Sequence, residues 1–573
     1  MPKKHRLRST RRLTGGFAAS FAGLALITSV AHAADATWNV DTAGSWATDA
    51  NWNPAAAPGS TSSTTNTDTA TFGSIITAAR IVTVDTNRNI SGINFSGNSF
   101  AYTLSGGNLL LTAGGTIQTS GAGSNTFVDN VNSAITLEGD YTFTGGSTNT
   151  NHTLSIGTTV TSAVSGGTTT LTLNGANTGV SGTNTATNVI TGVISNGTST
   201  VAISKSGAGK WALGGANTFT GGVTITAGTL EIQNNAALGT GTVTLAGGTL
   251  SASGSADRTI TNAVVAQTGT TSTLNTNGRN LTISGNLSGS GNINRAAPPT
   301  ATSIFLSGNN SSYTGTLTQA NNANAVIRFG NVNAGSASAS WVFQNTTASR
   351  TTLDFAGTGT ISFGSMTGGG TIQANVAGAK TISAGALGST DTFSGIIANG
   401  SGTLALTKVG SGTMTLSGAN TYTGATTINA GTLALGAANR IADTSAMVLG
   451  GGTFATGGFS ETLGTLTLSS TSSIDFGAGT SALVFADSSA ISWSGTLNLS
   501  NFDIGTDTLK FGTSSSALTG SQLSAITLTG YTAALDSSGF VTFTAVPEPH
   551  EFALAIVGLL GVMVFIRRRN QQV

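Results

Sequence analysis

The residues able to do chemistry are few, and their spacing limits what that chemistry can be. His152 is the histidine in the body of the chain; His5 and His32 lie near the start, and His550 lies near the end. A serine–histidine–carboxylate relay would have to run through His152. Among its Thr and Asn neighbours it reads instead as a surface residue. The closest carboxylate pairs are Glu138/Asp140 and Asp503/Asp507. Residues two apart on a strand share a face, so Glu138 and Asp140 have the spacing of a general acid–base pair for glycan cleavage. One histidine in the body of the chain and no cysteine anywhere exclude histidine and thiolate metal sites, thiol nucleophiles and disulfides. Carboxylates could hold calcium, yet neither an EF-hand loop nor a Gly-Gly-x-Gly-x-Asp nonapeptide occurs. Turns such as Gly368-Gly369-Gly370 lack the following helix of a phosphate loop. No catalytic, metal or cofactor-binding residue is therefore assigned.

The elements that would position such groups must be strands. Charged residues make up 8% of the 573, far below the usual quarter, and the 80 glycines are about twice the ordinary share. Gly/Ser-rich chains of this kind can be disordered. Here, though, 38% of residues are hydrophobic, and they alternate with Thr and Ser. In "TMTLSG" and "TTINAGTLAL", Met414, Leu416, Ile428, Leu433 and Leu435 recur at strand spacing, placing apolar side chains on one face. Glycine and asparagine punctuate the pattern every few residues, which prohibits long helices and supplies turns.

An internal copy organises the middle of the chain. Residues 190–232 and 393–435 align without gaps, with roughly half their positions identical. Fainter echoes lie at Leu306-Ser307-Gly308-Asn309 with Tyr313-Thr314-Gly315, and at Leu173-Asn174-Gly175-Ala176-Asn177. Gly-Thr-Leu recurs at 228–230 and 248–250, a plausible coil length. One coil cannot bury its inner face, but a stack of coils buries it continuously. The expected architecture is a solenoid over 106–490. A cap over 34–105 carries Trp38, Trp46 and Trp52, and a second cap over 491–545 carries Trp493, Phe502, Phe511 and Tyr531. The three N-terminal tryptophans would cover the open end of the stack; a sugar-binding platform is the alternative.

Both ends read as addresses. Six basic residues through Arg12 precede the apolar run Phe17 to Val30 and then Ala31-His32-Ala33. This is the order of a secretory signal peptide over 1–33, cleaved before Ala34. At the other end, Val546-Pro547-Glu548-Pro549 precedes the apolar run 552–566 and then Arg567, Arg568 and Arg569. The run is short for a bilayer, but the arginines favour a membrane span with a cytoplasmic C-terminus. Between the ends, thirteen basic residues face nineteen acidic ones. There is no basic stripe, and nucleic acid is excluded as a partner.

Two resemblances follow from these residues. Pro547, Glu548 and Pro549, the apolar segment with Gly558 and Gly561, and the arginine run resemble the PEP-CTERM sorting signal over 546–573. That likeness implies recognition and processing by an exosortase-type membrane protease. The repeats resemble the autotransporter-associated β-strand repeat through Lys205, Gly207, Gly209, Leu213, Asn217, Thr218, Phe219, Gly221 and Gly228-Thr229-Leu230. The second copy supplies Lys408, Gly410, Gly412, Leu416, Asn420, Thr421, Tyr422, Gly424 and Gly431-Thr432-Leu433. This implies a right-handed parallel β-helix. An autotransporter ends in a membrane barrel, whereas here the sorting tail stands in that place, so self-translocation is not implied.

The expectation is an exported structural or adhesion β-solenoid, not an enzyme. It meets the secretory translocon, signal peptidase and an exosortase, is anchored through its C-terminal helix before processing, and then resides at the cell surface or in the matrix. Extracellular polysaccharide is a candidate partner. A carbohydrate-active β-helix enzyme or a glycan-binding module is the alternative.

Overall fold

A computed structural model of the chain describes residues 35–568, apart from 63–65, 122–125, 147–151, 179–186, 298–299, 320–324, 344–349 and 547–558. The alternation in the sequence becomes strands with one buried face. In Thr200–Lys205, Val201, Ile203 and Lys205 are buried while Thr200, Ala202 and Ser204 are half-exposed. Thr403–Lys408 in the second copy buries Leu404, Leu406 and Lys408. Since one strand cannot satisfy the hydrogen-bonding groups of its own backbone, strands along the stack pair in parallel with their counterparts one coil further along the chain.

This pairing turns the inner positions into continuous rows. Ile203, Val223, Val243, Val264 and Leu287 are register partners in successive coils. A second face carries Trp211, Leu230, Leu250, Leu274 and Arg295. A third begins at Arg258 and continues through Leu281, Ile304 and Ile327. The result is an all-β solenoid of about 18 turns. Its stability comes from apolar rows inside and from coil-to-coil hydrogen bonds around them.

Corners between faces depend on glycine where the chain folds tightly. Gly228 and Gly431 adopt φ +62° and +61°, and a Cβ at Gly431 would lie 2.4 Å from the Gly412 carbonyl oxygen. A side chain there would be strained and would collide with the preceding coil. The same Gly-Thr-Leu element thus provides a corner at Gly and an inward strand residue at Leu.

The named strands pair antiparallel at two places, one at each end of the described stack. Ala36–Trp38 pairs with Trp52–Asn53, and Tyr531–Leu535 pairs with Val541–Ala545. At the first, Trp38, Trp46 and Trp52 are buried and gather around Phe72 at centroid distances of 5.6 to 6.2 Å. Buried rings cannot form a sugar platform. These indoles close the core instead. At the second, Phe502 packs edge-on between Phe476 and Phe543. Helix α1 (Gly520–Ala525), held by a Thr519–Gln522 capping box, lies beside it.

The expected signal peptide over 1–33, with Ala31, Ala33 and the adjoining Ala34, lies outside the described residues, as do Pro547, Glu548, Pro549 and Arg569. Of the apolar segment 552–566, the described part belongs to a helix over 559–568 that includes Arg567 and Arg568. Among the described residues, no helix is long and apolar enough to cross a membrane.

Candidate functional site

The fold engages the groups that chemistry could use in structural hydrogen bonds. The strand Ala134–Leu137 ends before Glu138, so the alternation that would align Glu138 with Asp140 stops there. Glu138 turns back along the stack, where its carboxylate accepts a hydrogen bond from Asn89 Nδ2. Burial raises its pKa, opposed by that bond. Asp140 is exposed and accepts from Thr170 N, 2.7 Å away in the next coil. The two carboxylates thus engage partners in opposite directions. Asp507 accepts from Ser481 N and Asp503 N, each at 2.8 Å, and staples a turn.

His152 is buried, contrary to the surface position expected of it. Its Nε2 lies 2.7 Å from Asp129 Oδ2, and its ring lies 4.2 Å from that of Phe127. Asp129 is fully buried and also accepts from Tyr102 N and from Asn98 Nδ2. Burial pushes the Asp129 carboxyl above its ordinary range, against the pull of His152 and the other donors. This set of partners ties the paired strands Phe127–Val131 and His152–Ile156 to the start of Tyr102–Gly106 in the coil before. Among the described residues, no cluster of three or more His, Cys, Asp or Glu could hold a metal ion.

The most distinctive side-chain geometry belongs to the repeat itself. Lys205 is buried, and its Nζ donates to the carbonyls of Ser206, Gly207 and Ala227 at 2.8, 2.9 and 3.0 Å. Lys408 repeats this with Val409, Gly410 and Ala430 at 2.8, 2.9 and 3.2 Å. Burial pulls Lys205 down to about 8 and lowers Lys408 in the same direction. Three ammonium protons meet three carbonyls, two at the corner and one from the next coil. Lys380 makes a related clamp on Val376, Ala377 and Gly357, although it stands outside the two strong copies.

An asparagine forms the second fixture. Asn217 accepts from Ile194 N at 2.8 Å and donates to Ala237 O at 2.6 Å, joining the coils before and after its own. Asn420 does the same with Ile397 N and Arg440 O, both at 2.8 Å. Asn310, in one faint echo, joins Leu287 N and Ala334 O, each at 2.9 Å. In the other echo, Asn177 donates to His152 O at 2.8 Å. The echo at Asn310 is therefore a structural counterpart of the repeat, while Asn177 makes a different tie, to the preceding coil. Lys205, Lys408, Asn217 and Asn420 were visible as repeated residues, but their bonding was not. The available signal was a lysine in the inward phase of Val201, Ile203, Lys205 and of Leu404, Leu406, Lys408.

The fold and its fixtures define a β-solenoid with two well-formed repeat units. Those units are where similarity to known proteins is found: the passenger-associated-transport-repeat family matches residues 203–232 and 406–435. No curated protein matches the chain, and no solved structure does.

Proposed function

We propose that the chain is an exported structural or adhesive solenoid, displayed at the surface of a bacterial cell or in its extracellular matrix. The observation that carries this reading is the repeat. A unit of the passenger-associated transport type occurs twice, each time with the same lysine and asparagine fixtures. The divergent Glu138/Asp140 pair, the turn-forming Asp507 and the enclosed His152 support a structural role over a hydrolytic one. The parallel crossovers favour a right-handed coil.

The route we propose uses the secretory translocon, with signal peptidase cleaving between Ala33 and Ala34. The segment 552–566 then holds the chain in the membrane, with Arg567, Arg568 and Arg569 on the cytoplasmic side, until an exosortase-type protease acts at Pro547-Glu548-Pro549. The prolines favour an extended chain, which presents Glu548 to an enzyme in the membrane. Extracellular polysaccharide is the proposed partner after delivery.

Glu548→Ala tests the route, because residue 548 follows the last solenoid strand, Val541–Ala545, and its loss should leave the fold intact. Immunoblots of membrane, surface and medium fractions are expected to show the variant retained, unprocessed, in the membrane. Wild-type distribution and processing of the variant would refute exosortase recognition. Retention of residues 1–33 on surface-located protein would refute signal-peptide cleavage.

A further inference from the structure

We infer that the C-terminal end of the solenoid carries a binding site for a neutral oligosaccharide, formed by two grooves on either side of helix α1. The inference deepens the adhesive reading above and relies on it only for the biological setting. The first groove encloses about 350 Å³ between α1 and the segment 489–495, with Trp493 in its wall. The second encloses about 460 Å³ between α1 and the terminal hairpin, with Tyr531 in its wall. Each volume falls in the range of small-ligand sites. α1 lends Ser521 and Gln522 to one groove and Leu523 and Ser524 to the other, so a chain-like ligand crossing the helix would meet both.

The lining identifies the ligand class. Among the described residues, neither groove is lined by a charged side chain; hydroxyls, apolar groups and one aromatic ring make up most of each wall. Carboxylates, phosphates and ammonium groups would enter without a counter-charge and lose their hydration. A neutral sugar presents hydroxyls at its edge and C–H groups on its face. It can bond to Ser and Thr side chains while its face lies on an indole or phenol ring. Ser492 and Thr529 flank these rings, and their side chains make no hydrogen bond within the described protein.

The site is also held rigid before any ligand arrives. Trp493 Nε1 donates to Leu466 O at 2.9 Å, which fixes the indole. Gln522 Nε2 donates to Ser488 O and Ile491 O, both at 2.8 Å, tying α1 to the floor of the first groove. Tyr531 begins the terminal hairpin and is 39% exposed. A fixed indole wall reduces the ordering cost that weak, hydrated ligands cannot otherwise offset.

The test is calorimetric titration of the purified full chain with cellohexaose, maltohexaose, laminarihexaose and chitohexaose, with hexagalacturonate as the anionic control. At least one neutral oligomer is expected to bind saturably, and to bind more tightly than hexagalacturonate. Tyr531→Ala, at an exposed position, should weaken binding about tenfold. Ser492→Asp, which places a charge in the other groove, should weaken it at least as much. Near-ultraviolet dichroism verifies that both variants remain folded. Absence of neutral-oligomer binding, equal binding of hexagalacturonate, or affinities unmoved by both substitutions would each overturn the proposal. Because the titration uses purified protein, its outcome is independent of processing at Glu548, which fractionation reads separately.

Discussion

Replacing Asn217 with Ala isolates the contribution of the asparagine that ties three coils together. The side chain is buried, and it gives Ile194 N an acceptor and Ala237 O a donor. Alanine removes both partners while leaving the backbone in place. Each orphaned buried group costs roughly 1–3 kcal/mol, and water entering the vacated space recovers part of that. The net expectation is about 2–4 kcal/mol of local destabilisation. Asn217→Asp keeps an acceptor for Ile194 N but turns a carboxylate oxygen toward the Ala237 carbonyl, and should be worse than alanine at neutral pH.

A global melt is a poor reporter of this change, because long repeat arrays do not unfold as one cooperative unit. Hydrogen exchange read by mass spectrometry over 190–196 and 236–241 is the suitable assay. In a quasi-one-dimensional stack the effect should stay within neighbouring coils. Exchange there should accelerate by about 30-fold to several hundred-fold, the equivalent of the energy above. The second copy over 393–435 should keep wild-type protection. Unchanged protection around residue 194 would refute the assignment of Asn217 as a coil tie, and uniform deprotection of the whole chain would refute the local, additive picture of the stack.

Two further substitutions probe the interior. Leu433 is fully buried between its register partners Met414 and Phe454, so Leu433→Asp should cost several kcal/mol by placing an unpaired charge inside; limited proteolysis should cut near that coil, and wild-type resistance would show that the position does not face the core. Glu461, which accepts from Arg440 N at 2.7 Å, is pushed up by burial to about 7 from 4.5. The folded state therefore holds its proton more tightly than the unfolded chain. That contribution is complete below pH 4.5 and is lost as pH rises through 7, by up to about 3 kcal/mol. Glu461→Gln should flatten local protection between pH 5 and 8, and an unchanged slope would refute the assignment.

The strands and their inner faces were legible because period-two alternation depends only on neighbouring residues. Register was not legible, because coil length varies. Tyr141 pairs with Leu171, thirty residues on, whereas Val223 pairs with Val243, twenty on. Without register, His152 could not be set beside Asp129 or Asn217 beside Ile194. The polar neighbourhood of His152 along the chain therefore pointed outward, while its neighbourhood across coils encloses it. Glu138/Asp140 failed for a local reason, since its strand ends at Leu137, before either carboxylate. The tryptophans at 38, 46 and 52 were legible as a cluster, but choosing between cap and platform required their burial.

The lysine clamps explain how a chain so poor in charge comes to place cations inside its core. At the corner after Lys205, Gly207 takes φ +70°, and the carbonyls of Ser206 and Gly207 converge on the ammonium. An apolar residue there would leave those carbonyls buried without donors, and a carboxylate would repel them. Lysine brings three donors on a stem long enough to follow the inner face, and its third bond reaches Ala227 in the next coil. It therefore satisfies one corner and fixes the position of the following coil against it. A one-residue slip of the strand would move Val201 and Ile203 to the solvent face and carry the ammonium away from all three carbonyls. The fixture thus acts on register, the property that flat, Thr-rich strands specify least well. A related clamp at Lys380 and the full one at Lys408 sit on strands that pair in successive coils, Lys380 opposite Leu404 and Lys408 opposite Ala384, so one lock holds the corner before the paired strands and the other the corner after them.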